Sequence, residues 1–472
     1  MAADEPWRWS AQRAVAALRA GSLDPADLVA LAFARMDTRD GELNAVPTRL
    51  PARARAACER VRAERAVRLS DPRWLAGLPI VVKDTHPVAG ARTTFGSTAF
   101  ADHVPASSAW HVERLEEMGA IVVGKSNTPE FAAGAQTFND VHGITRNPWD
   151  PRLTCGGSSG GSAVALATGM AWLADGSDLG GSLRIPAAFC GVVGLRPSLG
   201  RVPHGPQRVP YQTLNVVGPM ARSVGDVALM LDALAGPDAR DPLSLPAPVG
   251  RFVDALDGPV ATSIGCDLAL GGLLPLDPAI ERVVRAAIVH IEATGIGCPP
   301  VDLVTREACA SFRALRAAYL AADLGGLDDA QRAAMKPELR DNIAQGLALD
   351  GAALARAERE RGVFLAHALA LLERHAVLAL PTTIMPPFDA DQRFPAEFRG
   401  ERFDTYFDWA APAFVLSLLG CPVLSLPCGL TDAGLPVGLQ LVAPPRAEAA
   451  LLATAARIES ILAFRLRTLD ER

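Results

Sequence analysis

The chain has 472 residues, of which 49% are hydrophobic and 21% charged, enough for an ample core in one large domain or two ordinary ones. A net charge of −6 leaves no basic footprint and argues against a nucleic-acid partner. No run approaches the roughly 18 uninterrupted apolar residues of a membrane span, and the acidic start, Met1 to Glu5, has no hydrophobic signal core, so cytoplasmic residence is expected.

Ser10 caps a predicted helix over residues 11–19, and Asp24-Pro25 supplies a cap and an N1 proline for a second over 26–36. A third helix is predicted over 51–67. The apolar run 78–82 reads as a buried strand, 109–118 as an amphipathic helix and 121–123 as another strand. That β–α–β alternation implies a buried parallel sheet. Helices follow over 162–170 and 224–234, the second capped by Ser223 and ending near Gly236-Pro237. The proline-rich stretch 243–257 marks a seam between regions. Beyond it come a strand (260–264), a helix (278–294), a strongly helical stretch (305–375), strands at 377–380, 422–426 and 438–442, and a closing helix over 451–462.

The eight cysteines form no CxxC pair and read as free buried thiols. The eight histidines show neither HExxH nor HxH spacing, so neither a metal site nor any other cofactor is expected.

Of 46 basic residues only Lys83, Lys125 and Lys336 are lysines. Arginine carries the rest of the positive charge, so a retained lysine points to something arginine cannot do. A buried lysine can lose its proton, and arginine effectively cannot. Lys83, ending the apolar run 78–82, is the better catalytic candidate. Lys125, after the strand 121–123, reads as a residue that ties down loops, and Lys336 as an ordinary solvated lysine.

Between Thr154 and Ser198 two glycine-framed serine turns flank a small-residue helix. Gly156, Gly157, Gly160 and Gly161 surround Ser158 and Ser159, and Gly180 and Gly181 precede Ser182. Such glycines permit the sharp backbone that exposes a nucleophile within a ring of N–H donors. One such turn is ordinary architecture. Two in one block, with a lysine upstream, point to chemistry.

The chain resembles the amidase signature family of serine hydrolases through LAGLPIVVKD, GKSNTPEF, NPWDP, GGSSGG, SDLGGSLRIPAAFCGVVGLRPS and PVLSLPCGL…GLPVGLQLV. The resemblance covers nearly the whole length and fades over 305–375. It implies an α/β fold: a large mixed, mostly parallel twisted sheet flanked by many helices. The single amidase domain (1–472) would have its signature core at 68–243 and a variable helical substrate wall or lid at 305–375. It also implies that Ser182 is the nucleophile, that Ser158, after a cis peptide from Gly157, is the bridging serine, and that Lys83 is the terminal base. Backbone N–H groups of Leu179, Gly180, Gly181 and Ser182 would form the oxyanion hole. Asp178 is expected to brace the loop and stabilise charge near Lys83, Arg184 to pin loop carbonyls, and Ser159 to hydrogen-bond without reacting. Asn127 and Glu130 are expected to hold loops. His86 suggests a Ser–His–Asp arrangement, but no partner for it is legible.

The activity so implied is hydrolysis of a carbon–nitrogen bond in a small, uncharged amide through an acyl-Ser182 intermediate. Carbamates (urethanes), esters or biuret-like ureas are alternatives for the same triad. An alternative of another class is the glutamine-amidase component of a transamidase complex. A non-catalytic scaffold is hard to reconcile with all three triad residues, and an allophanate hydrolase would carry a further C-terminal domain. A monomer or homodimer is expected. Pocket walls are expected from Phe131, Ala133, Gly134 and Gln136 and from Tyr319 and Tyr406, with Phe364, Phe403 and Trp409 as further apolar candidates.

Overall fold

A computed structural model of the protein describes residues 5–464. Residues 1–4, most of the acidic start, lie outside the described part.

Ten strands form one sheet: β1 (Thr48–Arg49), β2 (Pro79–Lys83), β3 (Ile121–Ser126), β4 (Leu173–Asp178), β5 (Val193–Arg196), β6 (Val216–Ala221), β7 (Ile264–Cys266), β8 (Val377–Pro381), β9 (Val423–Leu430) and β10 (Pro436–Val442). Their spatial order is β1-β3-β2-β4-β6-β5-β9-β10-β8-β7. The expected mixed sheet flanked by helices is present, but its pairings are mostly antiparallel. Only β2–β3, β2–β4 and β7–β8 run parallel.

The β–α–β unit read from the sequence is the parallel β2–β3 pair with its connecting helix Trp110–Glu117. Three of the six antiparallel pairings involve β4, β5 and β6, which the sequence reading missed. β4 is LADGSD and β6 is VVGPMA, and their Asp, Gly and Pro mask the apolar pattern that marks a strand. The stretch 243–257 is not a break in the sheet, since strands on both sides of it join the same one.

Predicted helix caps are in place. Ser10 Oγ accepts the Arg13 N–H at 3.1 Å and Asp24 Oδ1 that of Ala26 at 2.8 Å. The second helix continues to Leu43, where Asn44 ends it in a left-handed conformation. The 305–375 stretch resolves into Arg306–Leu324, Asp329–Ala333, Pro337–Ala348 and Gly351–His375.

β2 is buried along its whole length between β3 and β4. Ile80, Val81 and Val82 are fully inaccessible, and each such side chain contributes roughly 1.5–3 kcal/mol. That burial anchors the strand end that carries Lys83.

Candidate active site

Lys83 is the last residue of β2 and is completely buried. Its backbone N–H donates to Asp175 Oδ1 at 2.7 Å. Its Nζ lies 2.7 Å from Ser158 Oγ, 2.9 Å from Ser159 Oγ and 3.0 Å from Ser177 Oγ. Among the described residues no carboxylate lies within ion-pair distance of this amine. Burial pushes its pKa down to about 7, against the opposing pull of Asp175 and Asp178.

A neutral amine offers two N–H donors and one lone pair. The Ser159 hydroxyl donates to the Ser177 carbonyl at 3.4 Å, so toward Lys83 it accepts. The neutral lysine can therefore receive a proton from Ser158 while its own N–H groups point to Ser159 and Ser177.

The Gly157–Ser158 peptide is cis, as the resemblance implied. Gly157 packs so tightly that a Cβ there would lie 2.8 Å from the Gln136 backbone nitrogen, and one on Gly161 would lie 2.3 Å from that of Asn127. The serine turn is thus pressed against the 127–136 segment. Downstream, Gly181 has φ +105°, a conformation few other residues adopt, and it turns the chain into Ser182. Ser182 is partly exposed, whereas Ser158 and Ser159 are fully buried.

Asp178 braces this turn. Its carboxylate accepts the N–H groups of Gly181 at 2.8 Å and Leu183 at 3.2 Å. Burial opposes its charge, yet Arg184 and Arg196 outweigh that and hold its pKa well below the usual carboxylate range. Arg184 is fully buried and also donates to the Ala413 carbonyl, Gln440 and Ser417. One expectation needs correction. The Gly181 N–H is already committed to Asp178, while Leu179, Gly180 and Ser182 line the cleft.

Ser158, Ser177 and Ser182 line one cleft. Phe131, Ala133, Gly134 and Tyr319 line it. Gln136 and Tyr406 do not. Gln136 donates to the Ala390 carbonyl at 2.7 Å, and both residues line an adjoining hollow. Phe364 is core, Trp409 stacks on Phe189, and Phe403 lines a separate hollow beside Cys309. The cleft's aromatic wall is instead Phe312, Phe407 and Phe414. A second cavity, whose lining includes His86 and His204, shares Phe131, Ser177, Asn215 and Tyr319 with the first.

Lys336 is not a solvated lysine. Its Nζ donates to the Ala133 carbonyl, and burial lowers its pKa to about 8. Lys125 lies within β3, not after it, and ties down the loop beyond β2 through the His86 carbonyl and Thr93 Oγ1. Asn127 bridges to Thr145 and Asn139, and Glu130 accepts from Ser97 Oγ and the Lys336 N–H.

His86 has the partner the sequence did not disclose. Its Nδ1 lies 2.6 Å from Asp175 Oδ2, which His111 Nε2 also approaches at 2.9 Å. Burial drops the His86 pKa to about 4, so it is neutral at pH 7. The three ligand atoms lie within 4.8 Å, a spacing metal ions also use. Here both imidazoles hydrogen-bond the same carboxylate oxygen. Ser177 and Asp175 were missed because they sit in a strand that was itself missed. Two apart on β4, they share one face toward Lys83.

Residues 27–452 match the amidase family. The chain belongs to that family. It is a hydrolase acting on carbon–nitrogen bonds. It is 38% identical over 82% of its length to the A subunit of the glutamyl-tRNA(Gln) amidotransferase from Thermus thermophilus, covering 85% of that protein. It is 32% identical over 98% of its length to the indoleacetamide hydrolase of Bradyrhizobium diazoefficiens, covering 89% of that protein. Among solved structures, a bacterial aryl acylamidase superposes with a TM-score of 0.89 at 26% identity, covering 99% of this chain and 98% of that one. Among the described residues of this amidase no helix is long and apolar enough to cross a membrane.

Proposed function

We propose that this amidase cleaves small amides through an ester on Ser182, with Ser158 and neutral Lys83 carrying the proton. Lys83 Nζ takes the Ser158 proton as Ser158 takes that of Ser182, and Ser182 Oγ bonds to the amide carbon. The carbonyl electron pair moves onto oxygen, facing the N–H groups of Leu179, Gly180 and Ser182. Losing one such donor typically costs on the order of 10²–10³ in kcat. Collapse breaks the C–N bond, and the amine leaves with the proton returned through Ser158. Water then attacks the ester by the same relay and releases the acid.

The observation that carries this reading is the 2.7 Å contact between Ser158 and a fully buried lysine that has no acidic partner among the described residues. Signature residues 68–243 supply this machinery, and of the 305–375 region the helix Arg306–Leu324 supplies the wall facing it. Carbamates and esters present the same carbonyl to the same groups. A fluorophosphonate should label Ser182 alone, and Ser182→Ala should fold normally and lose at least about 10⁴-fold in kcat. An adduct on another residue contradicts the assignment.

The relationship to the amidotransferase proteins favours a second reading, release of ammonia from glutamine for a partner protein. Ammonia release from glutamine that rises when a partner co-purifies would select it.

A further inference from the structure

We propose, building on the serine-hydrolase reading above, that the substrate amide carries a carboxylate on its acyl chain and that Arg316 receives it. Phe312, Arg316 and Leu320 recur every fourth residue on the helix Arg306–Leu324 and so present one face to the cleft. Arg316 is 6% exposed. Its guanidinium lies over the Phe407 ring, 4.2 Å from the centroid, and donates to Asn342 Oδ1 and the Tyr406 hydroxyl. Both acceptors are neutral.

No carboxylate among the described residues comes within 4.0 Å of it, and the acids of the surrounding segments have other partners. Glu338 pairs with Arg393, Asp408 with Arg313, and Asp323 with Arg208. Glu130 is taken by Ser97 and the Lys336 backbone. Lys336 adds a second cation behind Gly134, where a Cβ would lie 3.5 Å from its Nζ.

A buried charge with no counter-charge is costly, and arginine cannot escape that cost by losing its proton. The missing counter-charge is supplied by a ligand. A guanidinium has five N–H donors in a planar fork that matches a carboxylate, and two acceptors leave part of that fork open. The uncharged amide expected from the sequence therefore gives way to an anionic one, with Ser182 acting on the carbonyl and Arg316 holding the far end.

The test compares p-nitroanilides of succinate, glutarate and adipate with analogues in which an isopropyl group replaces the carboxylate. Wild type should favour the best anionic substrate by more than about tenfold in kcat/KM. Arg316→Gln should lose that preference, mostly through KM. Arg316→Lys should restore part of it. Free glutarate should also slow fluorophosphonate labelling of Ser182 in wild type but not in Arg316→Gln, a readout that needs no turnover. Equal or better use of the neutral anilides by wild type, or no protection by glutarate, overturns the proposal. Failure of the fluorophosphonate to label Ser182 at all sinks the serine reading instead.

Discussion

Lys83 and Arg316 both bring their polar heads into the interior beside one cleft, at 0% and 6% exposure, and neither has a carboxylate partner among the described residues. Each is ringed by neutral polar groups: three serine hydroxyls at Lys83, an amide oxygen and a phenol at Arg316. Burial has opposite consequences for the two. A lysine answers desolvation by releasing its proton and becomes a base, while an arginine stays charged and keeps its demand for an anion. In a chain whose cations are almost all arginine, the first site needs the exception and the second is served by the rule.

Exchanging the side chain at the first site should break the comparison most severely. Lys83→Arg keeps a cation and removes the base, so kcat should fall by about 10³-fold or more at every pH. A mutant that retains a tenth of wild-type kcat would show that the proton travels by another route.

Ser158→Ala should be less severe, with a loss of about 10²–10³ in kcat, since water can partly replace the bridging hydroxyl. Wild-type kcat in this variant would reduce Ser158 to a turn residue.

Asp175→Asn should have the smallest effect. The Asp175 charge raises the Lys83 pKa, so its removal should move the acidic limb of kcat/KM down by about half to one pH unit. The plateau should remain within about tenfold of wild type. Loss of activity with no shift of the limb would make Asp175 a structural prop and nothing more.

How much of this was legible depended on where each residue's signal lies. Ser158, Ser182 and Lys83 could be found because glycine turns and the end of an apolar strand are local patterns. Ser177 and Asp175 occupy a strand whose polar residues hide it, although their two-residue spacing before Gly180-Gly181 was a usable clue. Arg316 could not be told from its neighbours, because arginines are common in that alanine-rich helix and only packing shows which of them lacks an acid. Lys336 read as solvated because its partner, the Ala133 carbonyl, is 203 residues away in the chain. Gln136 and Tyr406 lie beside the cleft, but their polar groups are held by Ala390, Arg316 and Asn342. Half of the sheet's antiparallel pairings escaped notice for the same reason as β4, since strands bearing Gly, Pro and Asp do not announce themselves.

The central claim is that the active form of the enzyme holds Lys83 neutral. Its pKa in the fold is depressed to about 7, so the neutral fraction, and with it the rate, must increase as pH rises through that value. The most direct measurement is kcat/KM for a neutral anilide, whose own charge does not change, between about pH 5 and pH 9. The account predicts a limb of unit slope that bends to a plateau near pH 7. A limb with its midpoint near 4, where His86 titrates, or a rate that falls as pH rises, would contradict it.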